Sequence, residues 1–177
     1  MTEAIVDGVE DEHGAAWWFL DLLAVERRGP STMDTVVLEA VLPVGSSPPM
    51  HVHADLDDSW YMVEGEMVLR CGDEVRRAGP GDWVSLPRGV PHSFRVVGEC
   101  PARLLMVHDN GTFRDLVRSV GTPTTEHVVP PVPVRPPMDE LVRAAGAQGI
   151  TFVGPPMAPD DPALLALLGG DPATDTA

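Results

Sequence analysis

The stretch GSSPPMHVHADLDDSWYMVEG, residues 45–65, carries the most specific pattern in this chain. His51 and His53 are separated by one residue. A β-strand directs residues i and i+2 to the same face, so the two imidazoles can point at a common metal ion. Asp58 begins the next apolar run after a short polar turn, so its carboxylate can return across a hairpin to face the two histidines. A single pair of this kind is weak support for a metal site, because most exposed histidines bind nothing.

A second cluster, GDWVSLPRGVPHSFRV at residues 81–96, strengthens the first. Its strand is interrupted by Pro87, Arg88 and Gly89 and resumes at His92. Around both clusters the chain divides into roughly eight to ten short apolar segments separated by glycine and proline turns. That pattern is typical of a β-sandwich or a jelly-roll barrel.

Helical patterns come late in the chain. Residues 112–120 predict a short amphipathic helix, and residues 138–148 predict a second one that begins with acidic side chains. Leucines in residues 160–168 are compatible with a third helix. At the other end of the chain, residues 17–26 predict one aromatic-rich strand, whose side chains we expect to pack over one end of the barrel.

The two clusters together resemble the paired motifs of the cupin superfamily. The first motif, G-x5-H-x-H-x4-E-x6-G, is matched by Gly45, His51, His53 and Gly65, with Asp58 where the family usually has glutamate. The second motif, G-x5-P-x-G-x2-H-x3-N, is matched by Gly81, Pro87, Gly89 and His92, with Val96 in place of the final asparagine. The resemblance implies an all-β chain that forms a single cupin jelly-roll β-barrel with a few short helices, mainly C-terminal.

Within the cupins, the chain looks like small single-cupin proteins similar to bacterial quercetinases, the quercetin 2,3- and 2,4-dioxygenases. The likeness covers residues 17–157 and includes the aromatic first strand and the segment QGITFVGPP, residues 148–156. It implies a metal-dependent dioxygenase. It also implies that the metal ligands are His51, His53, His92 and Asp58.

The chemistry of these ligands can be argued separately. Three neutral imidazoles and one carboxylate suit one divalent transition metal among Fe, Ni, Co, Cu, Mn and Zn, and the ligand types do not choose among them. A redox metal with open positions can bind an enol and O2 together, and Asp58 could be both a ligand and the base that takes the enol proton. Aspartate is one methylene shorter than glutamate, so Asp58 could instead act only on substrate. If Asp58 points outward, Asp57 becomes the substitute ligand.

Strand alternation predicts the walls of a substrate pocket. If Asp58 points inward, so do Trp60 and Met62, and if His92 points inward, so do Phe94 and Val96. These apolar walls favour an aromatic small molecule, although each residue can equally belong to the barrel core, which is the better reading for Met62 and Val96. His108 lies outside both motifs and is interpreted as a structural or surface histidine.

The length of 177 residues fits one such domain with appendages. We expect an N-terminal arm at residues 1–16, the cupin barrel at 17–121, and a proline-rich strap, helix and docking segment at 122–157. The remaining residues, 158–177, predict an acidic tail that is partly disordered.

Charge limits the choice of partners. The net charge of −15 argues against nucleic acid and against an anionic membrane surface. The acidic N-terminus does not resemble a secretion signal, so we expect a soluble, cytoplasmic protein. Apolar surface and strand edges on a small jelly roll predict a homodimer.

Three classes of function remain open at this point. The first is a metal-dependent dioxygenase that acts on an enolised, flavonol-like aromatic molecule. The second is a metal-dependent isomerase, cyclase or lyase that works without O2. The third is a non-catalytic cupin that binds a small molecule, and the absence of a helix-turn-helix pattern argues against a transcription regulator.

Overall fold

The computed structural model describes residues 14–27 and 35–169. These residues form twelve strands and three helices. The strands are β1 (Ala16–Phe19), β2 (Leu22–Arg27), β3 (Val36–Leu42), β4 (Pro49–His53), β5 (Asp58–Glu64), β6 (Glu66–Cys71), β7 (Glu74–Ala78), β8 (Trp83–Leu86), β9 (His92–Val97), β10 (Ala102–His108), β11 (Thr122–Thr124) and β12 (Ile150–Pro156). The helices are α1 (Thr112–Val120), α2 (Met138–Ala147) and α3 (Pro162–Leu168), and in the described chain none is long and apolar enough to cross a membrane.

Two antiparallel sheets enclose the core. One has the order β11-β1-β2-β3-β10-β5-β8, and the other has the order β12-β4-β9-β6-β7. Alternate residues of both sheets meet in one buried cluster, to which Met62 and Leu104 contribute from the first sheet and Met67 and Leu69 from the second. The expected all-β jelly roll with a few short, C-terminal helices is therefore confirmed.

The single strand expected over residues 17–26 is wrong. Leu20 adopts a positive φ of 55°, and the chain turns back at Leu20 and Asp21 so that Phe19 pairs with Leu22. Two-residue hairpin turns usually contain glycine or asparagine, which makes them recognisable in the sequence. Here a leucine adopts the left-handed conformation instead, so the aromatic segment forms the two strands β1 and β2.

The chain beyond β10 packs back onto the two sheets. β11 pairs with β1, although the strap was expected to be unpatterned there, and the backbone N–H of Val134 donates to the carbonyl of Leu20 at 2.7 Å. The segment at residues 150–156, expected to dock on the barrel, is β12 and pairs with β4. The strand that carries His51 and His53 is therefore an inner strand of its sheet.

Part of the expected tail is an ordered helix. The carboxylate of Asp161 caps α3 by accepting from the backbone N–H of Ala163, and it also accepts from Arg70 at 2.9 Å. Leu164 is buried against Val68 and Val97 of the second sheet. Residues 1–13 of the expected arm and residues 170–177 of the expected tail lie outside the described residues.

Gly65 of the first motif has a structural role in the turn between β5 and β6. Its φ is +71°, a conformation that glycine adopts without strain. A Cβ at this position would meet the carbonyl oxygen of Pro101 at 2.4 Å. Any side chain would therefore push apart the two strand connections at this end of the sheets.

Candidate metal centre

The three motif histidines meet at one point. His51 and His53 lie on β4, and His51 is directly paired with His92 of the neighbouring strand β9. The imidazole centroids of His51 and His92 are 4.5 Å apart, and both are 5.1 Å from that of His53. One ligand atom of each ring lies within 4.8 Å of the others. The spacing of the two motifs thus corresponds to a three-dimensional cluster.

Backbone carbonyls fix the orientation of two of these rings. Nδ1 of His51 donates to the carbonyl of Pro49 at 2.8 Å, and Nδ1 of His92 donates to the carbonyl of Val90 at 2.9 Å. A carbonyl can only accept, so the proton is on Nδ1 and the lone pair is on Nε2. Metal-ligating histidines are commonly oriented through their second nitrogen in this way.

The histidine cluster is suited to bind a metal ion rather than to be protonated. Burial, followed by the proximity of His92, lowers the pKa of His51 to about 4, and burial lowers the pKa of His53 to about 3. Within residues 14–27 and 35–169, both nitrogens of His53 and Nε2 of His92 are buried without a hydrogen-bond partner. Such atoms are costly unless something binds them. A divalent metal would satisfy Nε2 of His92 and one nitrogen of His53, so the residues fit the cofactor that the motifs predict.

The loop of the second motif is tied to the first. The backbone N–H of Gly89 donates to the carbonyl of His53 at 2.8 Å. Arg88 joins Asp57 at 3.0 Å and Asp109 at 2.6 Å. Asp57 is exposed, and the Arg88 hydrogen bonds lower its pKa, so it is a surface carboxylate and not the substitute ligand.

Asp58 points inward but is not part of the histidine cluster. Its Oδ1 accepts from Nε2 of His108 at 2.6 Å and from Nε1 of Trp60. Burial alone would raise the pKa of Asp58, but the hydrogen bond and charge of His108 outweigh that effect and the pKa is lowered. Asp58 is therefore an ionised, buried carboxylate. Its ligation of the metal stays a prediction, because the group of mutually close ligand atoms among the described residues contains the three histidines alone.

A cavity of about 230 Å³ opens beside the cluster. His51 and Asp58 both line it, together with the aromatic side chains of Trp60 and Phe94. The other lining residues are Phe19, Leu20, Asp21, Leu22, Ser46, Ser47, Pro48, Pro49, Met106, Phe113, Pro133, Val134 and Arg135. Met62 and Val96 do not line this cavity and lie in the core, with 0% and 1% of their surface exposed.

Sequence reasoning did not assign His108 to the site. It is fully buried, and β10 pairs with β5 so that His108 lies directly opposite Asp58. A signal was present, because Leu104, Met106 and His108 alternate on one face of β10 and all three are buried. An inward histidine at the end of an apolar face needs a polar partner, and Asp58 supplies it.

Residues 38–108 match the family model described as Cupin_2, the cupin domain. The chain contains a cupin domain. An uncharacterized protein of Methanocaldococcus jannaschii is 30% identical to it over 67 residues, which cover 38% of this chain and 54% of that protein. The quercetin 2,3-dioxygenase of Bacillus subtilis is 23% identical over 120 residues, which cover 68% of this chain and 35% of the dioxygenase.

A solved cupin-like structure agrees in fold. The structure named as a predicted oxalate decarboxylase of Thermotoga maritima is 19% identical, with a TM-score of 0.50. The match covers 56% of this chain and 94% of that one. The chain spans about half of the length of the first curated relative, 54%, and about a third of the length of the second, 35%.

Proposed function

We propose that this cupin is a metal-dependent dioxygenase acting on an enolised, flavonol-like aromatic small molecule. The observation that carries the proposal is the cluster of His51, His53 and His92, which adjoins a cavity with aromatic walls. The distant similarity to a quercetin 2,3-dioxygenase over 68% of the chain supports the same reaction class. His51, His53 and His92 would hold one divalent transition metal.

The metal would supply open coordination positions where an enolate and O2 can meet and exchange electrons. The chain's own residues prepare the substrate for that step. Phe19, Trp60, Phe94 and Phe113 line the cavity and would hold a flat ring away from water. Trp60 and Phe94 pack edge to face with centroids 5.3 Å apart, which keeps this wall rigid.

Asp58 would be the base that forms the enolate. Its lowered pKa keeps it ionised, and it lies on the cavity wall together with His51. The O–H bond of the substrate hydroxyl breaks, and the proton moves to the carboxylate while the electron pair stays on the substrate oxygen. The carboxylic acid that results then returns the proton to the product, which restores the ionised carboxylate.

The test is oxygen uptake by protein loaded separately with Fe, Co, Ni, Mn, Cu and Zn. A panel of flavonols and other enediols is supplied, and metal-free protein is the control. O2 consumption that matches substrate loss in at least one metal form is the expected result. Substrate turnover without O2 consumption would instead indicate an isomerase, cyclase or lyase, and binding without turnover would indicate a binding protein. Either result would contradict the proposal.

Arg135 is the one arginine among the residues that line the cavity. The strap holds Arg135 there. The backbone N–H of Val134 donates a hydrogen bond to the carbonyl of Leu20, and prolines at 133, 136 and 137 restrict the backbone. We expect Arg135→Gln to weaken binding of an ionised flavonol about twofold to fivefold, the range for a solvent-reachable charge pair. Binding of the matching O-methyl ether, which cannot ionise at that oxygen, should not change.

The affinities can be followed through quenching of tryptophan fluorescence, since Trp60 lines the cavity. Arg143→Gln is the matched control, because Arg143 is an exposed arginine on α2 that does not line the cavity. Equal weakening of the flavonol and its ether by Arg135→Gln would show that the guanidinium does not recognise charge.

A further inference from the structure

His108, Asp58 and Trp60 form a buried hydrogen-bonded unit at the cavity, whose wall includes Asp58 and Trp60. Their exposed fractions are 0%, 4% and 2%. Both Nε2 of His108 and Nε1 of Trp60 donate to the same oxygen, Oδ1 of Asp58. An ionised carboxylate and an N–H donor form a bond about twice as strong as a neutral pair. Two such donors on one oxygen hold the carboxylate firmly.

The strand register makes this unit rigid. Asp58 and His108 are direct partners on β5 and β10, and Trp60 follows Asp58 by two residues on the same face of β5. The ring of Phe113 packs edge to face on His108, with centroids 5.7 Å apart. The two donors are therefore fixed by backbone pairing and packing rather than by a mobile loop.

The second oxygen of Asp58 has a different environment. Within the described residues no hydrogen bond reaches Oδ2, and Asp58 lines the cavity. A free carboxylate oxygen close to a divalent cation in a low-dielectric site would be drawn strongly toward the metal. Asp58 therefore needs a restraint if it is to stay available to substrate.

We propose that His108 is a positioning residue which, together with Trp60, holds Asp58 out of the metal's coordination shell and presents Oδ2 to the substrate hydroxyl. The proposal rests on the function proposed above. It also explains why aspartate serves here in place of the family's glutamate. The side chain of glutamate is one methylene longer, so with its strand position unchanged its carboxylate would reach beyond the two donors.

Cobalt(II) tests this without relying on turnover, because its visible absorption reports the number and geometry of its ligands. Wild-type protein loaded with Co2+ is compared with Asp58→Ala, His108→Leu, His108→Gln and the double variant Asp58→Ala/His108→Leu. Asp58→Ala should leave the spectrum unchanged. His108→Leu should change it and raise Co2+ affinity, as the released carboxylate joins the metal as a further ligand.

The double variant should return to the wild-type spectrum, and His108→Gln, which keeps an N–H donor, should resemble wild type. With an active metal form, His108→Leu should lower kcat roughly tenfold to a hundredfold with little change in KM. If the fully buried His108→Leu does not fold, Trp60→Phe removes the other donor while keeping an aromatic ring, and the same spectral change is expected of it.

A spectrum already altered by Asp58→Ala alone would overturn the proposal, since Asp58 would then be a ligand in the wild type. An unchanged spectrum after loss of either donor, His108 or Trp60, would overturn the proposal as well. The spectra and the oxygen-uptake assay are independent readouts. The expected spectra without O2 consumption would refute the dioxygenase function while leaving the restraint on Asp58 intact, and failure to bind Co2+ would refute both.

Discussion

Replacing His92 by alanine is expected to reduce metal affinity by more than about a hundredfold, beyond the 10- to 100-fold cost of losing a residue that only supports a ligand. The reason is that His92 is fully buried and its Nε2 has no partner among the described residues, so a bound metal would satisfy it. Turnover should be lost together with the metal. Metal quantification after dialysis, followed by titration with the same metal, measures the effect.

His51→Ala is a useful companion, because His51 is only partly buried and its loss disturbs packing less. It should lose metal to a similar degree. His127→Ala is the control, since it removes a histidine that lines a separate cavity on the outer face of the first sheet. Full metal content in both His92→Ala and His51→Ala, with the fold intact by circular dichroism, would eliminate the proposed metal site.

Replacing Asp58 by asparagine is expected to lower kcat roughly a hundredfold or more while metal content stays at the wild-type level. The amide has nearly the same shape, but it cannot take a proton from the substrate hydroxyl. The contacts of Asp58 run to His108 and Trp60, and it lies outside the three-histidine cluster. Steady-state kinetics and metal quantification on the same preparation separate the two effects.

Asp57→Asn is the matched control, because it makes the same chemical change one residue away on an exposed side chain. It removes the ion pair with Arg88 and should leave kcat close to wild type, since exposed ion pairs contribute little. Loss of metal in Asp58→Asn would instead assign Asp58 to the coordination shell. Unchanged kcat would remove its role as the base.

Part of the histidine cluster is a local property of the sequence. His51 and His53 share a face because strand periodicity is two, and the break at Pro87 to Gly89 restarts the chain so that His92 begins a strand. Local pattern thus predicted the pair His51 and His53, whereas the addition of His92 was implied by the resemblance to the cupin motifs and depends on the pairing of β9 with β4. The inward direction of Asp58 and Trp60 follows from the same alternation.

Other features depend on pairings that no local pattern encodes. One such feature is the turn at Leu20, where a leucine adopts the left-handed conformation that sequence rules assign to glycine or asparagine. The path of the strap is another. Its prolines predict an extended chain. Arg135 reaches the cavity wall only because the strap pairs with β1 and because Val134 donates a backbone hydrogen bond to Leu20.

By itself the sequence determined the all-β class, the shared face of His51 and His53 and the inward carboxylate, because each follows from residue type and a period of two along a strand. The convergence of His92 on that pair needs the pairing of β9 with β4. Only the tertiary structure decided which groups hold that carboxylate. Asp58 and His108 are 50 residues apart in the chain and meet because β5 and β10 pair in one register out of several that alternation allows. The hydrogen bond at that meeting point joins Asp58 to His108, and no residue pattern within either strand specifies it.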